Sequence, residues 1–152
     1  MRLALDTNIL LYVAGLNDAE RGKRARDMLA ALDPDDIAVP VQVLGEFFAV
    51  MSRKTTMSRS EIVKLVEDWA DQFTILPSTE AGLLGAADLV RLHGLAIWDA
   101  LILTVAAEDQ CSMLLSEDMH NGFVWRGVTV VNPFADPVHP LLADLLSQTD
   151  RS

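Results

Sequence analysis

Four carboxylates in this chain interrupt runs that are otherwise apolar. Asp6 follows Leu3-Ala4-Leu5 and precedes Thr7-Asn8; Glu46 lies within VPVQVLGEFFAVM, Asp99 within LAIWDALILTVA, and Asp118 ends LLSED. Each has a structural use when taken alone. Asp6 and Asp99 suit helix starts, where a side-chain oxygen accepts from free backbone N–H groups and the helix dipole favours negative charge. Glu46 falls ~120° from the centre of the face formed by Val43, Leu44, Phe47 and Phe48, at a rim that reaches water. Asp118 suits a turn ahead of Asn121-Gly122. Taken together, the acids suggest another chemistry. Carboxylates that share a site repel one another, and a divalent cation relieves that cost. Oxygen donors with no His or Cys cluster favour Mg²⁺ or Mn²⁺ over zinc.

Whether the four meet depends on the elements that carry them. Leu3 to Leu5 reads as a short buried strand, and Ile9 to Ala14 opens a helix. A helix with a basic outer face spans Ala19 to Leu32 and stops at Asp33-Pro34. Ile37-Ala38-Val39 is a second short strand, and Pro40 suits the first turn of a helix running to about Arg53. Ser58, Ser60 and Glu61 open a helix through about Phe73, apolar at Ile62, Leu65, Val66 and Trp69. Thr74 to Leu76 reads as a strand, followed by a helix from Thr79 to Leu92 with a C-cap at His93-Gly94. Ile97 to Cys111 is apolar nearly all round, the pattern of a buried central helix. Ser112 to Ser116 and Val128 to Val131 read as strands around a looser Asn121–Gly127 region. Alternating strands and helices predict an α/β fold with a mostly parallel sheet, in which ligands bind beyond the carboxyl ends of the strands. Asp6 and Asp118 are therefore expected on one edge.

Composition bounds the answer. The 152 residues are 51% hydrophobic and 22% charged, a balance that excludes a disordered chain and fits one compact domain. The single cysteine, Cys111, reads as core filler in a reducing compartment. With no signal-peptide pattern and no apolar run long enough to span a bilayer, the expected setting is cytoplasmic, away from membranes. The net charge of −10 argues against a broad nucleic-acid surface. The charge is uneven: residues 21–64 carry eight basic and six acidic side chains, whereas residues 65–152 carry three and thirteen. Any basic partner surface is thus local, around Arg21 to Arg26 and Arg53-Lys54, although both clusters also read as ordinary solvated helix faces.

The ordered set Leu5-Asp6-Thr7-Asn8, Gly45-Glu46-Phe47, Trp98-Asp99-Ala100 and Leu115-Ser116-Glu117-Asp118-Met119 resembles the acidic signatures of the PIN domain. It is most similar to the VapC-type toxins of bacterial and archaeal toxin–antitoxin pairs. The resemblance runs from Leu3 to about Phe134, giving a PIN domain over residues 1–134 and a tail or short helix over 135–152 packed on it. It implies a Rossmann-like fold and Mg²⁺- or Mn²⁺-dependent endoribonuclease activity. By motif, Asp6, Glu46, Asp99 and Asp118 would form the acidic pocket, with Asp6, Asp99 and Asp118 as metal ligands. Asn8 would support Asp6 or a metal-held water through its amide. Ser116 matches the family's Ser/Thr, and Glu117 either reaches the metal or points away. The expected partners are RNA, a cognate antitoxin whose arginine enters the pocket in place of metal, and a second copy of the chain. Arg24, Arg26, Arg53 and Lys54 are the candidates for the RNA backbone.

The chemistry stands beside the resemblance. Phosphodiester hydrolysis needs an activated water and neutralised charge on phosphorus, both of which carboxylate-held metal ions supply. No side-chain nucleophile is required, and His93, His120 and His139 are expected at the surface. A haloacid-dehalogenase-type phosphatase also ends its first strand on Asp, but needs a second Asp where this chain has Asn8. It also needs a downstream lysine, and none follows Lys64. A receiver domain meets the same objection. A catalytically silent PIN-like module that binds RNA or protein remains the other reading.

Overall fold

The computed structural model describes residues 1–150. Six strands form one sheet: β1 (Leu3–Leu5), β2 (Ile37–Pro40), β3 (Thr74–Leu76), β4 (Met113–Leu115), β5 (Val124–Trp125) and β6 (Val128–Val131). Seven α-helices accompany them: α1 (Thr7–Val13), α2 (Ala19–Ala30), α3 (Val41–Lys54), α4 (Arg59–Gln72), α5 (Glu80–His93), α6 (Ile97–Glu108) and α7 (Pro140–Thr149). The strand order is β3-β2-β1-β4-β6-β5. Every pairing is parallel except β5 with β6. The expected α/β architecture with a mostly parallel sheet is therefore present.

The strands are short and apolar on both faces. Leu3, Ala4 and Leu5 are fully buried, as are Met113, Leu114 and Leu115 beside them. This is the pattern of a sheet covered by helices on both sides. Helix α6 is buried around most of its circumference, from Ala100 to Ala106, as its unbroken hydrophobic run requires. Burying each Leu or Ile of this kind contributes about 1.5–3 kcal/mol relative to exposure. Cys111 joins this core, and burial pushes its thiol up to about 11, which leaves it protonated and inert. Leu142 and Leu145 anchor α7 against the same core.

Local signals set the boundaries. Ser58 and Glu61 form the reciprocal capping box at the start of α4. Gly94 closes α5 at φ 71°, a left-handed position where a side chain is strained. Pro40 ends β2, paired with Leu76, rather than sitting inside the first turn of α3. The β5–β6 hairpin had no clear sequence pattern, because β5 is only two residues long. Its turn is Arg126-Gly127, with φ of 48° and 86°, the doubly left-handed geometry that suits the twist of a tight hairpin. Among the described residues, no helix is long and apolar enough to cross a membrane.

The sheet order fixes where a ligand can bind. From β1 the chain passes to β2 on one side, while β4 lies on the other. A crevice opens between the carboxyl ends of β1 and β4, at the point where the order reverses. Asp6 and the turn Ser116-Glu117-Asp118 follow directly on those two strands. Helix α6 runs back against the strands, so its first turn, with Asp99, faces the same edge.

Candidate metal and nucleic-acid site

Asp6 lies between β1 and α1 and serves as the N-cap of α1. Its Oδ1 accepts from the Thr7 N–H at 2.7 Å. Its Oδ2 accepts from the Ser116 hydroxyl, also at 2.7 Å. The side chain is only 4% exposed. Burial raises its pKa to about 6, with the Asp99 and Asp118 charges adding to the rise, against the two hydrogen bonds that lower it. Capping α1 does not take Asp6 out of the cleft. The carboxylate caps α1 and faces the cleft.

Around it stand the other acids. Glu46 projects from α3, and its Oε2 accepts from the Thr7 hydroxyl at 2.5 Å while Oε1 accepts from the Gln42 amide at 3.2 Å. Asp118 accepts from the Asn8 side-chain amide. Of the four, Asp99 alone has no hydrogen-bond donor among the described residues. Its pKa is raised by burial first, then by the charges of Asp118 and Glu46. Asp118 is raised by burial and by Glu117. Asp6, Thr7, Asn8, Glu46, Arg53, Asp99 and Asp118 line one cleft of about 320 Å³. The four acids, distant in sequence, share a single wall-to-wall space.

The supporting residues differ in part from expectation. Ser116, fully buried, braces Asp6. Asn8 makes no hydrogen bond to Asp6, whose oxygens accept from Ser116 and Thr7. Its amide instead reaches across to Asp118, tying the end of β1 to the turn after β4. Glu117 points away from the cleft, where it accepts from the Tyr12 hydroxyl and pairs with Arg21 Nε at 3.6 Å. Gly22 allows this arrangement, since a Cβ there would stand 2.8 Å from the Tyr12 carbonyl oxygen as α2 crosses α1. Sequence reading missed Thr7, Gln42 and Tyr12. The i, i+4 spacing of Gln42 and Glu46 on α3 was the one available signal.

The basic residues separate. Arg53 lines the acidic cleft. Lys54 is its exposed neighbour at the end of α3. Arg24 lies elsewhere, over the Phe134 ring at 5.7 Å, in a groove between α2 and α7. Arg26 reaches the Val13 carbonyl at 3.5 Å. A second cleft of about 350 Å³ shares Asp99 and Asp118 with the first and adds His93, His120 and Phe123. His139 caps α7, its ring Nδ1 accepting from the Leu141 N–H, and lines neither of these clefts.

The donor set suits a hard divalent cation, being all carboxylate oxygen with no imidazole or thiolate among the four. The carboxylate pKa values rise chiefly through burial, and the charge repulsion that adds to the rise is what such a cation relieves. Among the described residues, no three side chains stand together as a ready-made metal cage. The arrangement is a cleft lined by acids, held in place by Ser116, Thr7 and Asn8. If Ser116 positions Asp6 for a metal, Ser116→Ala lowers Mg²⁺ affinity about 10–100-fold, the usual cost of losing such a supporting hydrogen bond. Titration calorimetry of the two proteins measures it, and equal affinities would show that the hydroxyl only packs.

Among solved structures, the fold is similar to a toxin–antitoxin complex from Klebsiella pneumoniae, at 19% identity and a TM-score of 0.67, covering 88% of this chain and 98% of that one. It is similar also to VapC20 of Mycobacterium tuberculosis, described as a sarcin-ricin loop cleaving toxin. That match has 17% identity and a TM-score of 0.65, covering 76% of this chain and 91% of that one. FitAcB from Neisseria gonorrhoeae matches at 17% identity and a TM-score of 0.64, over 87% of this chain and 98% of that one. At these identities the likeness establishes the fold. No curated protein matches the chain by sequence. The PIN domain family matches residues 3–120, a span that starts at β1 and takes in all four acids and the turn after β4, so the chain belongs to the PIN domain family.

Proposed function

We propose that this protein is a Mg²⁺- or Mn²⁺-dependent endoribonuclease and the toxin of a toxin–antitoxin pair. The observation that carries this reading is the convergence of Asp6, Glu46, Asp99 and Asp118 on one cleft at the topological switch of the sheet. Structural likeness to a toxin–antitoxin complex and to a toxin described as cleaving the sarcin-ricin loop supports the same reading.

In this mechanism Asp6, Asp99 and Asp118 would hold the metal. When bound, a divalent ion supplies an activated water and neutralises charge on the phosphodiester. Ser116 and the Thr7 N–H keep Asp6 in one rotamer with its charge facing the cleft. Glu46, fixed by Thr7 and Gln42, shares the cleft with Asp99 and would accept a proton from an attacking water. Asn8 keeps Asp118 turned inward. Arg53 is the cation at the rim that meets the RNA backbone. The surrounding negative charge suits a basic antitoxin segment whose arginine occupies the acidic cleft. The partners in this reading are RNA, an antitoxin and a second copy of the chain, in a cytoplasmic setting.

The decisive experiment compares RNA cleavage by wild type, Asp6→Asn and Asp99→Asn, with Mg²⁺ and with EDTA. Cleavage that needs both metal and the two acids supports the assignment. Equal cutting by all three proteins would remove it. A wild type that binds RNA without cutting it would favour the silent binding module.

Charge reversal maps the RNA path. Arg53→Glu raises KM and flattens the salt dependence of RNA binding by about 0.7 in log–log slope, the loss of one phosphate contact to a single strand. Arg24→Glu, outside the cleft, is the comparison. Equal effects of the two would route RNA over α2 as well.

A further inference from the structure

The second cleft, beside the four acids, has a different chemistry from the first. His93, Leu95, Ala96, Asp99, Asp118, Met119, His120 and Phe123 enclose it, and Asp99 and Asp118 form a common wall with the metal cleft. Arg53 lines the acidic cleft, whereas no lysine or arginine among the described residues lines this one. A phosphate therefore has its cation on the Arg53 side. The other side offers an aromatic ring, two imidazoles and apolar walls from Leu95 and Met119. That combination fits a flat, neutral, heteroaromatic group with a polar edge.

The cleft is also built. His93 packs edge-on to Phe123 with ring centroids 5.2 Å apart, and to Trp125 at 5.8 Å. The loop carrying His120 and Phe123 is pinned to β6. Gly122 N–H donates to the Val130 carbonyl, Val130 N–H to the Phe123 carbonyl, both at 2.8 Å, and Asn132 N–H to Asn121 Oδ1 at 2.9 Å. The Met119 N–H approaches the Ser116 hydroxyl at 3.4 Å, linking the loop to the residue that braces Asp6. An occupant of this cleft is placed relative to the acids by the fold itself.

We propose that the His93–His120–Phe123 cleft receives the nucleobase next to the scissile phosphate and selects the base at that position. The proposal rests on the ribonuclease reading and deepens it. Phe123 supplies a stacking face, which tolerates any base. His120 and His93, exposed at the rim, hydrogen-bond to the base edge and supply the choice.

The test uses single-stranded RNA hexamers with a 5′ fluorophore, in all four bases at the position flanking the cut. Binding is measured by anisotropy in an Asp6→Asn background, where cleavage is blocked. Phe123→Leu keeps the apolar packing and removes the ring, and is expected to weaken binding about tenfold, while Phe123→Tyr restores it. An abasic residue at the same position makes the Leu and Phe proteins bind alike. His120→Ala, in an otherwise native protein, is expected to flatten base preference at one position in sequenced cleavage products while other positions keep theirs. If the protein cuts RNA and both Phe123→Leu and His120→Ala leave affinity and site preference unchanged, the subsite is overturned alone. If the protein neither binds nor cuts RNA, the nuclease reading fails, and the subsite with it.

Discussion

Asp99→Asn is expected to lower kcat/KM for metal-dependent RNA cleavage by more than about a hundredfold, beyond the usual effect of losing a supporting hydrogen bond. The same substitution is expected to make the metal-free protein more stable at neutral pH. Both effects have one cause. Asp99 sits in the first turn of α6, where the helix N-terminus favours its charge. Partial burial and the nearby charges of Asp118 and Glu46 oppose that charge. No donor among the described residues compensates it, so a neutral isostere relieves the fold while removing one of the proposed metal ligands. Stability given up to keep a charged cleft intact is a common trade at functional sites. Single-turnover cleavage kinetics and thermal unfolding in EDTA measure the two effects. A variant that cuts like wild type would show that Asp99 holds no ion. A variant less stable than wild type would show that Asp99 is a structural cap.

The second large effect is a pH-dependent stability that metal reverses. Asp6 has a folded pKa of about 6, above the ordinary 3.8, chiefly because it is buried. Between pH about 4 and about 6 the folded carboxyl keeps a proton that the unfolded chain has lost. The stabilisation from this group is therefore complete below about pH 4 and is lost as pH rises through 6. Its full size is about 3 kcal/mol at the usual conversion of pKa difference to free energy. Asp99 and Asp118 are shifted in the same direction and steepen the trend. In EDTA, the melting temperature is expected to be higher near pH 5 than near pH 7.5. Mg²⁺ binds the ionised acids, so it should raise the melting temperature more at pH 7.5 than at pH 5. Asp6→Asn, which cannot titrate, should flatten the EDTA profile. A flat wild-type profile, or a Mg²⁺ effect independent of pH, would contradict the arrangement of charges derived for the cleft.

These two experiments separate the site's parts. The first asks whether Asp99 contributes to catalysis, and the second asks whether the acids bind a cation at all. The second has no RNA in it. A protein that passes the pH test and fails to cut RNA holds metal for another purpose.

Much of this was legible in the sequence because the relevant signals are local. An apolar run of three residues ending on Asp6 marks both a buried strand and the end of it. The nearly unbroken hydrophobic stretch after Asp99 has the length and pattern of a helix buried around most of its circumference. Ser58 with Glu61, and His93 with Gly94, mark helix boundaries through backbone hydrogen bonds that these residues satisfy within a few positions. The alternation of such elements is enough to call for a parallel sheet, and a parallel sheet fixes which ends of its strands face a ligand. In that sense the order of residues determined the fold class and the edge on which Asp6 and Asp118 stand.

The pairings between distant side chains were decided only by the tertiary structure. Asn8 is two residues from Asp6, yet it braces Asp118, 110 positions away, because β4 lies beside β1 in the sheet. Ser116 braces Asp6 for the same reason. Glu117 and Asp118 are neighbours in sequence but face opposite ways, one toward Tyr12 and Arg21 and the other into the cleft. The basic clusters read alike in the sequence, but α3 brings Arg53 to the acids while α2 carries Arg24 to Phe134. His120, which reads as a loop residue, becomes the wall of a cleft because the hairpin of β5 and β6 folds its loop back beside Asp99. Sequence patterns encode periodicity and backbone hydrogen bonding over a few residues, whereas a side chain's partner depends on which strands lie side by side, and that is settled only when the chain packs.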